Sequence, residues 1–293
     1  MRYCGRDFSE SEISLIRSMI ADDPKMTRFR LSKMVCTTMN WLRIDGKLKD
    51  MSCRVALLKM EADQLLKLPP PKSAKPVRKA NDIEMEEAIR RPDKVQDFDL
   101  KDVEVEMVKG LKPSRLWNSY IDKYHYLGFA LIPGAQIRYQ VKVNGNIVAL
   151  LSFGASAWKV MPRDTYIGWT KEQREKNLHL VINNSRFLIL PWITKKNLAS
   201  KILSLISKRI SDDWYKNYSF RPVLLETFVE EQRFLGTCYK ASNWLCLGKT
   251  QGRGKLDTHQ KKDKPIKTIW VLPIDKAFRK KLTEEKNGIA LTN

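Results

Sequence analysis

The chain has 293 residues, of which 43% are hydrophobic and 30% are charged, a composition typical of a globular protein. Lysine and arginine number 54 against 33 acidic residues, which gives a formal net charge of +21. No apolar run reaches the ~20 residues of a membrane span, and the first residues lack the apolar segment of a secretory signal. The sequence therefore predicts a cytoplasmic, non-membrane protein with a polyanionic partner, and nucleic acid is the leading candidate.

The cysteines give no sign of a disulfide framework or a zinc ribbon. They are odd in number, and no two of them form a Cys-x-x-Cys pair. Reduced thiols are the expected state of all five, which are Cys4, Cys36, Cys53, Cys238 and Cys246.

The first segment, residues 1–68, is predicted to be a helical, winged-helix-like DNA-binding module. Ser9 and Glu12 have the spacing of a capping box at the start of the first helix, and Asp45-Gly46 predicts a turn between the second and third. In such a module the third helix lies in the major groove. A plain three-helix bundle with a solvated basic face is the alternative.

The second and third helices of this module carry both the predicted core and the predicted DNA contacts. Leu31 and Val35 are expected to face inward from the second helix, and Val55 and Leu58 from the third. The basic residues on the opposite faces are the candidates for DNA binding: Arg28, Arg30, Arg54 and Lys59.

The remainder of the chain divides into a linker, a second domain and a tail. Residues 69–112 are Pro-rich and then acidic, with an alternating stretch near Val105 that predicts an edge strand. Residues 113–275 alternate helices and strands and predict an α+β domain with a mixed sheet. They include a hairpin turning at Asn144-Gly145. Residues 276–293 are expected to form a basic C-terminal tail.

Long motifs over nearly the whole chain resemble the DruA-like family of Druantia anti-phage defence proteins and its mobile-element relatives. This resemblance implies bacterial defence against invading DNA. One departure is EADQLL, at a place where a basic helix end and a glycine turn would lead into a wing. The motifs are FSESEISLIRSMI, LKDMSCRVALLKM, YHYLGF, PRDTYIGW, NNSRFLILPWITKKNLAS, ETFVEEQRFLGTCYKASNW and GKTQGRG.

A second resemblance, of architecture alone, is to the Gcn5-related N-acetyltransferase fold. That fold holds the pyrophosphate of acyl-CoA at an Arg/Gln-x-x-Gly-x-Gly/Ala loop before a helix. Here Thr194 and Asn197 replace the first polar residue and a glycine, whereas the small Ala199 is retained. Tyr239 matches the tyrosine that protonates the departing thiolate, and Asn243-Trp244 stands where the fold has Gly-Phe.

In the acetyltransferase fold two central strands separate and expose a cleft. Glu226 ends an otherwise apolar strand, so it is expected to reach the cleft or to pair with Arg186 or Arg233. As a functional group it would be a general base or a metal ligand, and a structural Glu–Arg pair is the alternative. The predicted cleft-lining residues are Asn183, Asn184, Thr227, Asn243 and Trp244.

The predicted catalytic set is completed by two further residues. His125 lies between tyrosines at a helix end and titrates near neutrality, and Asp164 follows an arginine. With Glu226 they are of the residue types that bind Mg²⁺ or Mn²⁺, and a nuclease is one hypothesis. A packed core histidine and a turn-capping aspartate are the alternatives. The whole catalytic set is Glu226, His125, Tyr239, Asp164 and Arg186.

The stretch KTQGRGK is the best candidate for contact with phosphates. Its glycines let the backbone approach a ligand closely, and its basic side chains supply charge. The predicted contacts are Lys249, Thr250, Arg253 and Lys255, with Trp244 nearby for base stacking. A solvated basic loop is the alternative.

The leading function is DNA binding in anti-phage defence or within a mobile element, with chemistry on DNA or on a nucleotide-linked donor as a further expectation and a metal-dependent nuclease as one hypothesis for it. An acyl-CoA-dependent acyltransferase is the first alternative. The second is a non-catalytic DNA-binding subunit that recruits a helicase, nuclease or transposase of the same system. Acyl-CoA binding would favour the first alternative, and cleft variants that keep full protection would favour the second.

Overall fold

Two units form the structure, a computed structural model that describes residues 1–23, 25–70, 89–91, 97–132, 134–252 and 265–284. The units are Met1–Ala80 and Asn81–Asn293. Within the described ranges no helix is both long and apolar enough to cross a bilayer.

The first unit is mainly helical. The Ser9–Glu12 capping box is confirmed, because the Ser9 hydroxyl accepts from the Glu12 N–H and the Glu12 carboxylate accepts from the Ser9 N–H. Ile13, Leu31 and Val35 are buried in the core of this unit. Its elements are β1 (Arg2–Tyr3), β2 (Arg6–Asp7), α1 (Glu10–Asp22), α2 (Arg28–Thr38) and α3 (Asp50–Ala62).

The outward face of α3 is apolar, and the predicted orientation of this helix is wrong. Val55 and Leu58, expected in the core, are 40% and 47% exposed, whereas Cys53, Leu57 and Met60 are buried. The string RVALLKM carries apolar residues on two adjacent faces of one helix. Its periodicity therefore does not determine which face packs inward.

A wing after α3 is not found among residues 63–70. These residues form a turn and an extended segment, which is held where the Leu68 N–H donates to the Glu61 carboxylate at 2.9 Å. Residues 71–88, where a wing would follow, lie outside the described ranges. The winged-helix assignment therefore stays a prediction.

A mixed sheet forms the centre of the second unit, as predicted for an α+β domain. Within the described residues it has seven strands in the order β3-β4-β5-β6-β7-β9-β8, and only β6 and β7 pair in parallel. The strand predicted near Val105 lies at one edge. The strands are β3 (Glu104–Met107), β4 (Gln136–Val143), β5 (Asn146–Ala155), β6 (Val181–Ile189), β7 (Leu224–Glu230), β8 (Leu245–Lys249) and β9 (Lys267–Pro273).

Helices cover both faces of the sheet. On one face α7 packs against Leu151 and Phe153, and on the other α4 packs against Leu150 and Leu188. The second face is also covered by α5 and α9, around Leu224. The helices are α4 (Leu111–Tyr124), α5 (Met161–Ile167), α6 (Lys171–Asn177), α7 (Leu198–Tyr218), α8 (Thr237–Lys240) and α9 (Phe278–Thr283).

The predicted hairpin is confirmed, whereas the predicted C-terminal tail is partly helical. Asn144 and Gly145 turn the β4–β5 hairpin with positive φ angles, as predicted. Pro162 lies in the first turn of α5, where proline is tolerated. In the stretch expected to be a tail, α9 buries Phe278 and Leu282.

We expect Gly236→Ala to destabilise the second unit more than Gly168→Ala does. Both glycines have left-handed φ, +70° and +82°, which costs an alanine about 1–2 kcal/mol. A Cβ at Gly236 would also lie 2.6 Å from a ring carbon of Trp270, whereas one at Gly168 meets open space. Urea unfolding of both variants measures the difference, and equal losses would contradict the tight packing around Gly236.

Candidate functional site

The parallel strands β6 and β7 separate in the middle of the sheet, as the fold resemblance implied. They pair only from Val181–Leu224 to Asn184–Thr227. Beyond that point β6 continues beside β5 and β7 continues beside β9. The last paired residues, Asn184 and Thr227, were both predicted to line the cleft.

Tyr239 occupies the point where the two strands separate. Its hydroxyl donates to Asn184 Oδ1 at 2.9 Å, and its ring stacks on Trp270 with 6.3 Å between ring centroids. Burial raises the pKa of this hydroxyl well above its ordinary value. Asn184 is held in turn, since its amide donates to the Ser152 and Arg186 carbonyls. Tyr239 is therefore part of a bonded, buried network.

The other predicted cleft residues have different surroundings. Thr227 donates to the Asn184 carbonyl at 3.0 Å, and Trp244 is 3% exposed against the Tyr239 ring. Asn243 is exposed and turns the chain with φ +62°. Asn183 Oδ1 is buried without a hydrogen-bond donor in the described part of the chain.

A buried arginine connects two of the predicted catalytic residues. Arg163 is 0% exposed, and its Nη1 lies 2.8 Å from Glu226 Oε2. Its Nε and Nη2 donate to Asp164 Oδ1 at 3.0 and 2.8 Å. Trp169 also donates to Asp164 Oδ1, at 3.1 Å, and its ring lies beside the guanidinium. The partner of Glu226 is thus Arg163, and not Arg186 or Arg233.

Glu226 is enclosed completely. Its second oxygen accepts from the Ala157 N–H at 2.8 Å. Burial raises the pKa of Glu226, while the Arg163 guanidinium and the Ala157 N–H favour its ionised form. Fully buried with both oxygens bonded, Glu226 has the geometry of the structural Glu–Arg pair.

His125, Asp164 and Glu226 do not form a common ligand set. Glu226 and Asp164 both face Arg163, whereas burial and the charges of Arg186 and Lys267 lower the pKa of His125. Within the described ranges, no three histidine, cysteine or carboxylate side chains are grouped as metal ligands would be. The metal-dependent nuclease stays a hypothesis without a defined site.

His125 instead belongs to a cluster at the end of β7 that we call the basic-aromatic patch. The His125 ring stacks on Tyr126 with centroids 4.9 Å apart, and Tyr126 lies 5.5 Å from Phe234. The Arg233 guanidinium is 5.2 Å from the Tyr126 ring. The patch comprises His125, Tyr126, Arg186, Arg233, Phe234 and Lys267.

The cations of the patch act on the histidine. Burial, together with the charges of Arg186 and Lys267, lowers the pKa of His125 from 6.5 to about 4. His125 Nδ1 accepts from the Leu127 N–H at 3.2 Å, and Arg186 donates to the Gly128 carbonyl at 3.2 Å. At neutral pH the patch therefore holds a neutral histidine beside two permanent charges.

The basic stretch predicted to contact phosphate begins beside this patch. The Thr250 N–H donates to the Lys267 carbonyl at 2.8 Å, and the Lys267 N–H donates to the Thr250 hydroxyl at 2.9 Å. Lys249 forms an ion pair with Glu231. Arg253 and Lys255 lie outside the described residues, so their contacts stay predictions.

Three of the four predicted DNA contacts in the first unit are paired with carboxylates. Arg54 lies 2.9 Å from Asp50, and Arg30 lies 3.5 Å from Asp23. Arg28 lies 3.6 Å from a Glu61 oxygen and also donates to the Pro69 carbonyl. Lys59 is exposed. Surface pairs of this kind are weak, so they do not prevent a contact with phosphate.

Sequence reasoning missed Arg163, Tyr126, Phe234 and Lys267. Arginine is rarely fully buried, and nothing in PRDTYIGW marks its first basic residue as internal. Tyr126 and Phe234 did carry a signal, because each is an aromatic residue beside a basic or titratable one. Their meeting depends on the sheet, which brings the end of α4 to the end of β7.

The residues ahead of α7 retain only part of the pattern that holds the pyrophosphate of acyl-CoA. Asn197 adopts φ +63°, the left-handed conformation that glycine favours. Lys195 forms an ion pair with the exposed Asp97 at 2.7 Å, and both line a cavity of about 410 Å³ together with Arg91 and Thr194. The cavity thus has basic as well as acidic side chains, and a weak surface pair of this kind does not exclude a phosphate.

The described strands form an α+β fold with a central mixed sheet, and solved structures of acetyltransferases are similar to part of this chain. The Escherichia coli ribosomal-protein-S18-alanine N-acetyltransferase is 12% identical over 59% of this chain and 94% of its own, with a TM-score of 0.36. A Drosophila melanogaster polyamine N-acetyltransferase is 11% identical over 59% and 100%, with a TM-score of 0.38. TM-scores this low give no information about activity.

A match to a family model identifies the family of this chain. The family model described as "Druantia protein DruA" matches residues 59–269, which is more than half of the chain. The protein therefore belongs to the DruA family, as its motifs predicted. The comparison with curated proteins gave no match.

We expect Glu226→Ala to destabilise the protein by about 3–5 kcal/mol, because it leaves the buried Arg163 without its fully buried counter-charge. The double variant Glu226→Leu with Arg163→Met should lose much less than the sum of Glu226→Leu and Arg163→Met alone. Denaturant unfolding of the parent, the double variant and its two single variants measures this coupling. A Glu226→Ala variant as stable as the parent would refute the structural role.

We expect His125 to make stability depend on pH. Its folded pKa of about 4 lies below the ordinary 6.5, so this contribution is complete above about pH 6.5 and declines as the pH falls towards 4. The loss approaches about 3 kcal/mol, since one pKa unit corresponds to about 1.4 kcal/mol. Unfolding of parent and His125→Gln between these pH values tests it. Parallel pH profiles would contradict the lowered pKa.

Proposed function

We propose that this protein binds the phosphate backbone of DNA through the basic-aromatic patch, as part of a defence against invading DNA. The observation that carries the proposal is a pair of cations that form no ion pair within the part of the chain that the structure describes, since Glu230, opposite Lys267 in the β7–β9 ladder, is paired with Arg233. Arg186 and Lys267 are partly buried, yet among the described residues neither has a carboxylate within 4.0 Å. A partly buried charge that lacks an internal partner is stabilised by an external anion.

The geometry of the sheet directs both cations to the same face. Arg186 pairs with Ser152 in the ladder, and Ser152 lies on the same side of β5 as Leu150, which contacts α4. Lys267 lies two residues before Ile269 and four before Val271, which packs on that face. Two cations on one face are suited to successive phosphates of a polyanion.

The segment between β8 and β9 extends this positive surface in sequence. Its ends are fixed beside the patch by the Thr250–Lys267 hydrogen bonds. Between them the chain has more basic than acidic residues: Arg253, Lys255, Lys261, Lys262 and Lys264 against Asp257 and Asp263. Because these charges are tethered at the patch, they add to its attraction for phosphate whatever conformation the segment adopts.

Binding without chemistry is the activity that the geometry supports best. Glu226 and Asp164 are occupied by Arg163, and Tyr239 is bonded to Asn184, so three predicted catalytic groups have internal partners. This arrangement favours a DNA-binding subunit that recruits a helicase, nuclease or transposase. The acyltransferase alternative remains compatible with the fold.

We expect Arg186→Gln with Lys267→Gln to weaken DNA binding and to flatten its salt dependence. Each lost phosphate contact lowers the slope of log K against log salt by about 0.9 on duplex DNA or about 0.7 on a single strand. Fluorescence anisotropy across a salt series measures the slope. Arg253→Ala with Lys255→Ala should act in the same direction.

The matched control is Lys208→Gln with Lys216→Gln, which removes two exposed charges from α7 on the other face of the sheet. A slope unchanged by the patch variant, or lowered equally by the control, would overturn the proposal. Incubation with DNA, Mg²⁺ or Mn²⁺ and acetyl-CoA, followed by mass analysis, tests the enzymatic alternatives.

A further inference from the structure

Two aromatic rings of the basic-aromatic patch are exposed to solvent. Phe234 is 51% exposed and Tyr126 is 37% exposed, and their centroids lie 5.5 Å apart with planes inclined by 56°. Trp158 and Tyr215 of the same unit are exposed to a similar extent, but among the described residues neither of them contacts another aromatic ring. An exposed aromatic pair between cations needs a ligand that has both apolar faces and negative charge.

Both rings are held in place by the surrounding structure. Tyr126 is fixed between the His125 ring, which is nearly parallel to it at 25°, and the Arg233 guanidinium. Phe234 follows a turn in which its N–H donates to the Glu230 carbonyl at 2.9 Å. Arg233 is itself positioned, since its Nε donates to Glu230 at 2.8 Å. Rings that are already ordered lose little entropy when a ligand stacks on them.

We infer that the basic-aromatic patch selects single-stranded over duplex nucleic acid. Unpaired bases stack on Phe234 and Tyr126 while neighbouring phosphates contact Arg186 and Lys267. The inference rests on the proposed binding of the DNA backbone and adds the form of nucleic acid that is recognised.

The physical reason is the accessibility of base faces. In a duplex the base faces are covered by their neighbours, so a protein ring reaches only base edges or the sugar-phosphate backbone. A single strand presents its base faces, and stacking on protein aromatics is largely independent of sequence. An apolar protein segment would also cover the rings, but the adjacent cations and the net charge of +21 favour a polyanion.

The test compares an oligothymidylate of about 20 nucleotides with a duplex of the same length, both fluorescently labelled, on the full chain. Phe234→Leu keeps apolar bulk but removes the aromatic face. It should weaken binding of the single strand about tenfold, change duplex binding less than about twofold, and leave the salt slope unchanged. Phe234→Trp keeps an aromatic face and should bind the single strand about as tightly as the parent does.

Leu235→Ala is the matched control, because it shortens an adjacent side chain that is 85% exposed and not aromatic. It should leave both affinities unchanged. A photocrosslink from 5-bromodeoxyuridine in the oligonucleotide should map to the peptide that holds Tyr126 or Phe234.

The outcomes separate this inference from the proposed function. If the Arg186→Gln with Lys267→Gln variant lowers the salt slope but Phe234→Leu and Tyr126→Leu change neither affinity, DNA binding stands and selection by stacking is wrong. Equal losses on single strand and duplex would also overturn the selection. If the charge variant changes nothing on either oligonucleotide, the proposed function itself fails.

Discussion

The second unit depends on one buried guanidinium. Arg163 is enclosed by two carboxylates, the Ala157 carbonyl and the Trp169 ring, so a single side chain joins β7, the segment after β5, and α5. A buried ion pair adds little stability over an apolar substitute, but removing Glu226 leaves Arg163 with Asp164 as its one remaining carboxylate and costs stability. The arrangement therefore acts mainly as a constraint that admits one packing of these three elements.

The two ends of β7 differ in how their charges are neutralised. Around Glu226 the carboxylate is paired with Arg163, and both side chains are buried. At the other end, near Glu230, Arg186 and Lys267 have no carboxylate partners in the part of the chain that the structure describes, and exposed rings lie beside them. Charges that are neutralised internally hold a fold together, whereas charges left without a partner make a surface attractive to ions.

Local signals in the sequence identified much of the fold. Ser9 with Glu12, and Asn144 with Gly145, each determine their own conformation through contacts within a few residues, so a capping box and a hairpin were predictable. The features that depend on tertiary packing were not predictable from the sequence. Whether α3 buries Leu57 or Leu58 depends on what packs against it, and sequence periodicity admits both.

The contacts of the candidate site also depend on tertiary packing. An acidic residue within the apolar strand LLETFV signals that Glu226 needs a partner, but the partner is 63 residues away and lies next to another acid, Asp164. The basic-aromatic patch is equally non-local, because it joins the end of α4, the middle of β6 and both sides of the β7–β9 ladder. Sequence reasoning named His125 and Arg186 separately, and only the sheet brings them together.

The hydrogen bonds between Thr250 and Lys267 close the β8–β9 hairpin independently of the segment that joins the two strands. These bonds use the backbone of Lys267 and the backbone N–H and hydroxyl of Thr250. The Lys267 side chain takes no part in the closure, so it can change without opening the hairpin. Loss of the Thr250 hydroxyl would instead remove one of the two bonds that close it.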